Sequence, residues 1–447
     1  MTTVALRQTA EIIEETYRAR TAKSATLYEA ASTVMPGGNT RSALHYAPYP
    51  TFLQEGHGCR VKDVDQNEYI DFLSNYTSLI HGHAHPAIVR ALHEQALRGT
   101  AFASPTYTQT RLAQLLIARI PSLERLRFCN SGTEATLMAI RAAKAFTRRN
   151  KILKLDGGYH GTHDAALVAC SEDPDAAEPN LGLFRGVVAD VLSMPANDVR
   201  SAAQLFDLHG RDLAAVIVEP VMGAGGMLPL DAEFIHFLSG AARSCGALFI
   251  LDEVITFRLA TGGAQEIYSV RPDLTTLGKV IGGGVPVGAF GGRADVMALF
   301  EPGNGRLAHS GTFNGNEATM AAGIVAVELL TEDAIRRINQ VGDRLREGLH
   351  EVFGRTGVAA QVTGIGSLVG LHFTSKPPRN YRDTLQSSRK VLPLLHLSLM
   401  NRGMFLAPRG FVCISTPMAE TEIDMFLGAL EQSLLDLKPE FQKVDSL

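Results

Sequence analysis

Residues 247–293, ALFILDEVITFRLATGGAQEIYSVRPDLTTLGKVIGGGVPVGAFGGR, constrain the fold more than any other stretch of the chain. The LFIL run at 248–251 has no polar face, the pattern of a strand buried on both sides in a parallel sheet. Two acids, Asp252 and Glu253, follow it directly. Open α/β sheets bind ligands outside the carboxyl ends of their strands, so an acid there is placed to meet one. Lys279 is the first lysine after Asp252 and has small residues on both sides. Burial in such a loop would lower a lysine's pKa and free its amine as an imine-forming nucleophile. An ordinary strand-end acid and a solvated loop lysine fit these two residues equally well.

Size and charge narrow the field. With 447 residues the chain is long enough for two lobes, or for one large α/β domain with terminal additions. A net charge of −4 gives no electrostatic reason to expect nucleic acid or an anionic membrane as partner. No apolar run approaches the ~18 residues of a membrane span. The N-terminus MTTVALRQTAEIIEETYRAR lacks a signal peptide's apolar core, so a cytoplasmic address is expected. The five cysteines are scattered, with no C-x-x-C pair, which argues for reduced thiols rather than disulfides or a zinc site.

Taken in order, residues 6–34 read as one amphipathic helix ending at Pro36, Gly37 and Gly38. Arg41 lies among aromatics in the turn-rich stretch that follows, either as a surface residue or as a bidentate clamp for a carboxylate. Residues 51–73 read as a meander of short strands with a turn at 65–67. Tyr76 is a candidate wall of a site. His81, His83 and His85 invite a metal reading, but no acid is expected close by, and a turn before a helix near Pro86 is preferred. Ser131 and Glu134 form an S-x-x-E capping box for a helix running to about residue 149. A helix start also suits a phosphate, and Gly132 permits close backbone approach. Residues 151–156 read as a strand leading to Tyr159, and 171–197 as loop without chemistry. Residues 216–218 repeat the apolar strand, ending at Glu219, and 231–245 supply a crossover helix back to the Asp252 strand. A helix is expected from about 317 and a long charged one over 331–353. Strands near 361–373 and 403–415 and helices near 385–401 and 420–437 suggest a small α+β lobe, with Arg409 in its tight 406–411 loop.

Six elements in this order resemble the class III, fold type I aminotransferases, including the glutamate-1-semialdehyde aminomutase branch. They are S-G-T at 131–133, Y-H-G at 159–161, strand-E-P ending at Pro220, D-E-V at 252–254, Lys279, and G-T at 311–312. The resemblance spans nearly the whole chain. It implies an α/β fold: a large domain with a mostly parallel seven-stranded sheet between helices, and a small α+β domain built from both termini. Boundaries of 1–75, 76–330 and 331–447 follow from it. It also implies pyridoxal 5′-phosphate (PLP) as cofactor, with Lys279 as the imine-forming catalytic lysine and Asp252 on the pyridine nitrogen. Ser131, Gly132 and Thr133 would hold the phosphate, and Tyr159 would stack on the ring. His160 and Val254 would also contact the cofactor, and Glu219 would lie near it or partner an arginine. Thr312 would reach the neighbouring subunit's phosphate in a homodimer. The histidine turn matches the family's G-H-x-H-P.

Departures from the broad pattern refine the expected substrate. D-E-V-I-T-F-R at 252–258 is shortened relative to D-E-V-x-T-G-F-R, and G-G-N-T-R at 37–41 replaces a longer aminomutase segment. With the F-L-A-P-R-G loop, these resemble β-amino acid (β-phenylalanine) aminotransferases. Arg41 and Tyr76 would then bind a 3-amino acid, and Arg409 the second carboxylate of 2-oxoglutarate. Glutamate-1-semialdehyde 2,1-aminomutase and a general ω-amine transaminase are the alternatives; a non-enzymatic binding protein and a His-based metal hydrolase fit less of the chain.

Overall fold

The computed structural model describes residues 2–170, 174, 182–303, 306–385, 387 and 391–444. Its central sheet is built from β1 (Arg125–Cys129), β2 (Lys151–Leu155), β3 (Val191–Met194), β4 (Leu213–Val218), β5 (Leu248–Asp252), β6 (Leu274–Gly278) and β7 (Gly288–Gly292). The spatial order is β1-β7-β6-β5-β4-β2-β3. Neighbours from β6 through β3 run parallel, and β7 is antiparallel to both β6 and β1. This is the expected α/β architecture with a mostly parallel seven-stranded sheet.

Side-chain alternation on β5 decides which residues face which layer. Leu248 and Ile250 pack toward α1 (Gly132–Thr147), and Phe249 and Leu251 toward α2 (Ala232–Cys245). An alanine seam on α1, at 135, 139, 142 and 143, lets that helix lie close to the sheet, while Phe234, Ile235 and Leu238 fill the α2 side. Each fully buried Leu, Ile or Phe stabilises by about 1.5–3 kcal/mol. The two-residue period puts Asp252 on the α1 face, with Leu248 and Ile250. On β4, Ala215 and Ile217 share that face, so Glu219 follows them. Because Leu251 pairs with Val218, the two acids end adjacent strands side by side.

Both chain ends build the smaller part. Leu53–His57, Arg60–Asp63 and Glu68–Asp71 form the expected meander, and Met404–Phe405 adds to its last strand in parallel. A second antiparallel sheet joins Gln361–Thr363, Leu368–His372 and Phe411–Cys413. Helices Glu332–Thr356, Leu392–Asn401 and Glu420–Val444 complete this region.

Several elements differ from expectation. The helix expected over 6–34 is two, Thr2–Arg20 and Ala22–Ser32, broken at Thr21. Asp65, from the meander turn, causes the break: its carboxylate accepts from the amides of Lys23 (2.7 Å) and Ser24 (2.9 Å) and caps the second helix from outside. The region 171–197 contains β3 and a short helix, Arg185–Ala189, although 171–173 and 175–181 lie outside the described residues. β3 is a short edge strand, half-buried at Leu192 and Ser193, so its sequence lacks the continuous apolar run of β4 and β5. The strand expected over 403–415 is divided between two sheets by the loop that carries Arg409. The one expected over 361–373 is a hairpin turned at Gly364 and Gly366. Tyr381–Leu385 and Leu392–Asn401 replace the helix expected over 385–401, with 386 and 388–390 outside the described residues.

Candidate active site

A cavity of about 430 Å³ opens at the carboxyl ends of β4, β5 and β6. It gathers Ser131, Gly132, Thr133, Tyr159, His160, Glu219, Asp252, Val254 and Lys279, which sequence reasoning took from five separate segments, and it adds Arg41 and Tyr76.

Asp252 is fixed on both oxygens. Oδ1 accepts from Thr276 Oγ1 (2.9 Å) and the Val254 amide (3.1 Å), and Oδ2 from His160 Nδ1 (2.7 Å). Its neighbour Glu253 points the other way, as alternation requires. That buried carboxylate accepts from the amides of Ala264 and Gln265 at 2.8 Å each and from Thr256 Oγ1 at 2.6 Å, so it serves the fold. Thr276 and the bond from His160 were missed in the sequence; Thr276 sits at the partner position across the β5–β6 register.

At the other end of the cavity lies the start of α1. Ser131 caps it, its Oγ accepting from the Glu134 amide (3.2 Å). The reciprocal arm of the capping box shifts by one residue: Glu134 Oε2 accepts from Asn130 N (2.8 Å). The first backbone bond of the helix is from Ala135 N to Ser131 O, so the Gly132 and Thr133 amides precede the ladder, as an anion-binding helix start requires. Two glycines make room for this turn. A Cβ on Gly288 would lie 2.0 Å from Ser131 O, and one on Gly161 would lie 2.5 Å from Thr133 Oγ1.

Lys279 follows β6 directly, with a left-handed φ of +49°. Burial lowers its pKa to about 8, against the opposing pull of the Glu219 and Asp252 carboxylates. Glu219 accepts from the amides of Tyr159 (2.9 Å) and Gly223 (3.1 Å) and bonds no arginine among the described residues, so of its two expected roles the cavity-side one remains. Burial raises its pKa.

Tyr159 is 46% exposed at the cavity, which excludes a core tyrosine. Arg41 reaches the rim: Nη1 donates to Asn75 Oδ1 (2.9 Å), and its Cζ lies 5.4 Å from the Tyr76 ring centroid. Asn75 was not singled out in the sequence. Arg409 is exposed and does not line the cavity, although its charge is felt at the phenols of Tyr76 and Tyr159. Thr312 is exposed on its turn and is not among the residues that line the cavity, although its neighbour Asn314 accepts from the cavity-lining Asn130 at 2.9 Å. The histidines have separate tasks. His81 Nε2 meets Ala326 O (2.9 Å), and His85 Nδ1 accepts from Ala87 N at the start of Pro86–Ala96. His83 bonds Asp71 Oδ2 at 2.7 Å, which corrects the expectation that no acid lies near this turn.

The donor set fits PLP. A helix start offers free amides to a phosphate, a buried carboxylate can face a pyridinium nitrogen, and a lysine of lowered pKa stands between strand ends as a ready nucleophile. The comparisons agree. The aminotransferase class-III family model matches residues 42–431. The chain is 42% identical to a beta-phenylalanine transaminase of Variovorax paradoxus, covering 90% of each. It is 40% identical to a glutamate-1-semialdehyde 2,1-aminomutase of Methanothermobacter thermautotrophicus, covering 93% of this chain and 100% of that one. The crystal structure of an omega-transaminase from Sphaerobacter thermophilus superposes with a TM-score of 0.90 at 43% identity, over 93% of this chain and 98% of that one. The chain belongs to the class-III aminotransferases, PLP-dependent enzymes of fold type I.

Proposed function

We propose that this enzyme transfers the amino group of a β-amino acid, an aromatic 3-amino acid such as β-phenylalanine, to 2-oxoglutarate or pyruvate by a ping-pong cycle. The observation that carries this reading is the Arg41 guanidinium at the rim of the cavity that holds Lys279 and Asp252. A cation there suits a donor whose carboxylate stands beyond the reacting carbon. The similarity to a beta-phenylalanine transaminase supports the same substrate class.

When bound, PLP supplies an electron sink for the carbanion formed at the substrate's amine-bearing carbon. Asp252, locked by His160 and Thr276, would hold a proton at the ring nitrogen. Ser131, Gly132 and Thr133 would bind the phosphate, and Tyr159 and Val254 would orient the ring. Lys279 would anchor the cofactor, and its amine, once free, would carry the proton at the substrate's amine-bearing carbon. Tyr76 forms the wall beside Arg41. Arg409, on its exposed loop, would bind the second carboxylate of 2-oxoglutarate. Thr312, exposed and not lining its own cavity, would complete the phosphate site of a second copy in a homodimer. We place the lobe boundaries at 75/76 and 330/331; the latter falls between helices Glu317–Leu329 and Glu332–Thr356. No described helix is long and apolar enough to cross a membrane, which fits a cytoplasmic enzyme.

The test is a donor panel with both enantiomers of 3-amino-3-phenylpropanoate and matched amines, each with 2-oxoglutarate, with pyruvate and without acceptor. The account expects acceptor-dependent turnover of one enantiomer of the acid. Acceptor-independent turnover of glutamate-1-semialdehyde would favour the aminomutase, the second reading supported by similarity. Equal use of amines lacking a carboxylate would favour a general ω-amine transaminase.

A further inference from the structure

Ser74, Asn75, Tyr76 and Thr77 form a run of left-handed backbone, with φ of +46°, +47°, +56° and +74°. None is glycine, so each costs about 1–2 kcal/mol relative to the right-handed form. Such strain persists only where the surroundings enforce it. At the start of the turn, Asp71 Oδ1 accepts from the amides of Leu73 and Ser74 at 2.9 Å each, while His83 holds Oδ2. At its end, the buried Arg258 guanidinium donates to Thr77 O (3.5 Å).

This enforced turn presents Asn75 to Arg41. Arg41 sits on an exposed, extended residue, and nothing in its own backbone fixes where a long side chain points. The bond from Nη1 to Asn75 Oδ1 and the Tyr76 ring together set the guanidinium's position and leave its remaining N–H groups for a planar acceptor. Asparagine suits both demands, since it tolerates the left-handed region and offers a neutral acceptor. An aspartate would instead pair with Arg41 and compete with a substrate carboxylate.

We propose that Asn75 is a positioning residue that aims Arg41 and thereby sets the site's preference for donors carrying a carboxylate. The inference rests on the reading of Arg41 as the carboxylate clamp. The experiment uses holoenzyme and measures the Kd of 3-phenylpropanoate, which has the carboxylate but no amine, together with KM and kcat for 3-amino-3-phenylpropanoate. Asn75→Gly keeps the left-handed backbone and removes the amide; Asn75→Asp keeps the shape and adds a charge. Kd and KM rise about tenfold in Asn75→Gly and further in Asn75→Asp, with a smaller change in kcat, and neither variant adds to the loss in an Arg41→Ala background. If Asn75→Gly does not fold, Asn75→Ser, whose shorter neutral side chain withdraws the acceptor from Arg41 without adding charge, decides in its place. Unchanged Kd in the folded variants, a loss confined to kcat, or a loss that persists without Arg41 overturns the proposal. Arg41→Ala separates the two layers. A Kd that Arg41→Ala leaves unchanged removes the clamp itself, whereas one raised by Arg41→Ala but not by the Asn75 changes removes only the role of Asn75.

Discussion

His160 Nδ1 and Asp252 Oδ2 meet at 2.7 Å, both side chains almost wholly out of solvent, across 92 residues of chain. A carboxylate can only accept, so the imidazole donates from Nδ1. Its Nε2 has no hydrogen-bond partner among the described residues. The contact therefore orients Asp252. His160→Phe keeps the ring's bulk and leaves one buried carboxylate oxygen unpaired, at about 1–3 kcal/mol. The expected outcome is a fall in kcat of about 10- to 100-fold with PLP still bound, read from steady-state rates and the visible spectrum. An unchanged kcat would contradict the orienting role.

Asp252 and Glu253 are neighbours with opposite duties. Asp252→Asn should lower kcat by about 10²–10⁴-fold with little change in the urea midpoint. Glu253→Ala should do the reverse: it strands the buried amides of Ala264 and Gln265 and destabilises by about 3 kcal/mol or more, with residual activity in the folded fraction. Urea unfolding and rates on the same samples compare the two.

Gly288 tests the phosphate end without removing any polar side chain. A methyl there would lie 2.0 Å from Ser131 O and 2.6 Å from Ser131 C, a backbone clash that no rotamer relieves. Gly288→Ala should weaken PLP binding at least about tenfold in a spectroscopic titration. Gly240 on α2 is the control, since a methyl added there would meet no atom within 4 Å. Gly240→Ala should leave PLP affinity unchanged and stabilise by about 0.5–1 kcal/mol.

The pH dependence follows from Lys279. The neutral amine is the nucleophile, so the rate at which the apoenzyme captures PLP should rise with pH and reach half its limit near the lysine's pKa of about 8. Glu219 raises that pKa by stabilising the ammonium, so Glu219→Gln should move the midpoint to lower pH. Stopped-flow absorbance across the pH range measures both; a midpoint near that of a free lysine would contradict the burial argument.

What was legible in the sequence was local or periodic. Apolar runs ending in acids marked the strands that carry Asp252 and Glu219 at their carboxyl ends, and the capping pattern at Ser131 marked the start of α1. Contacts between distant segments were not legible. The Asp65 cap that breaks the N-terminal helix, the Asp71–His83 pair and the Arg41–Asn75 bond each join side chains whose meeting depends on the assembled lobes. β3 escaped notice because an edge strand needs no continuous apolar run. Arg409 matched a family motif, yet its position outside the cavity depends on a loop path that no local pattern encodes.

The most direct measurement is borohydride reduction of the PLP-loaded enzyme followed by peptide mass mapping. The account predicts a single pyridoxyl-phosphate adduct on the peptide containing Lys279, with loss of the visible absorbance, and no adduct in Lys279→Ala. An adduct on another lysine, or a protein that stays colourless with PLP, would contradict it.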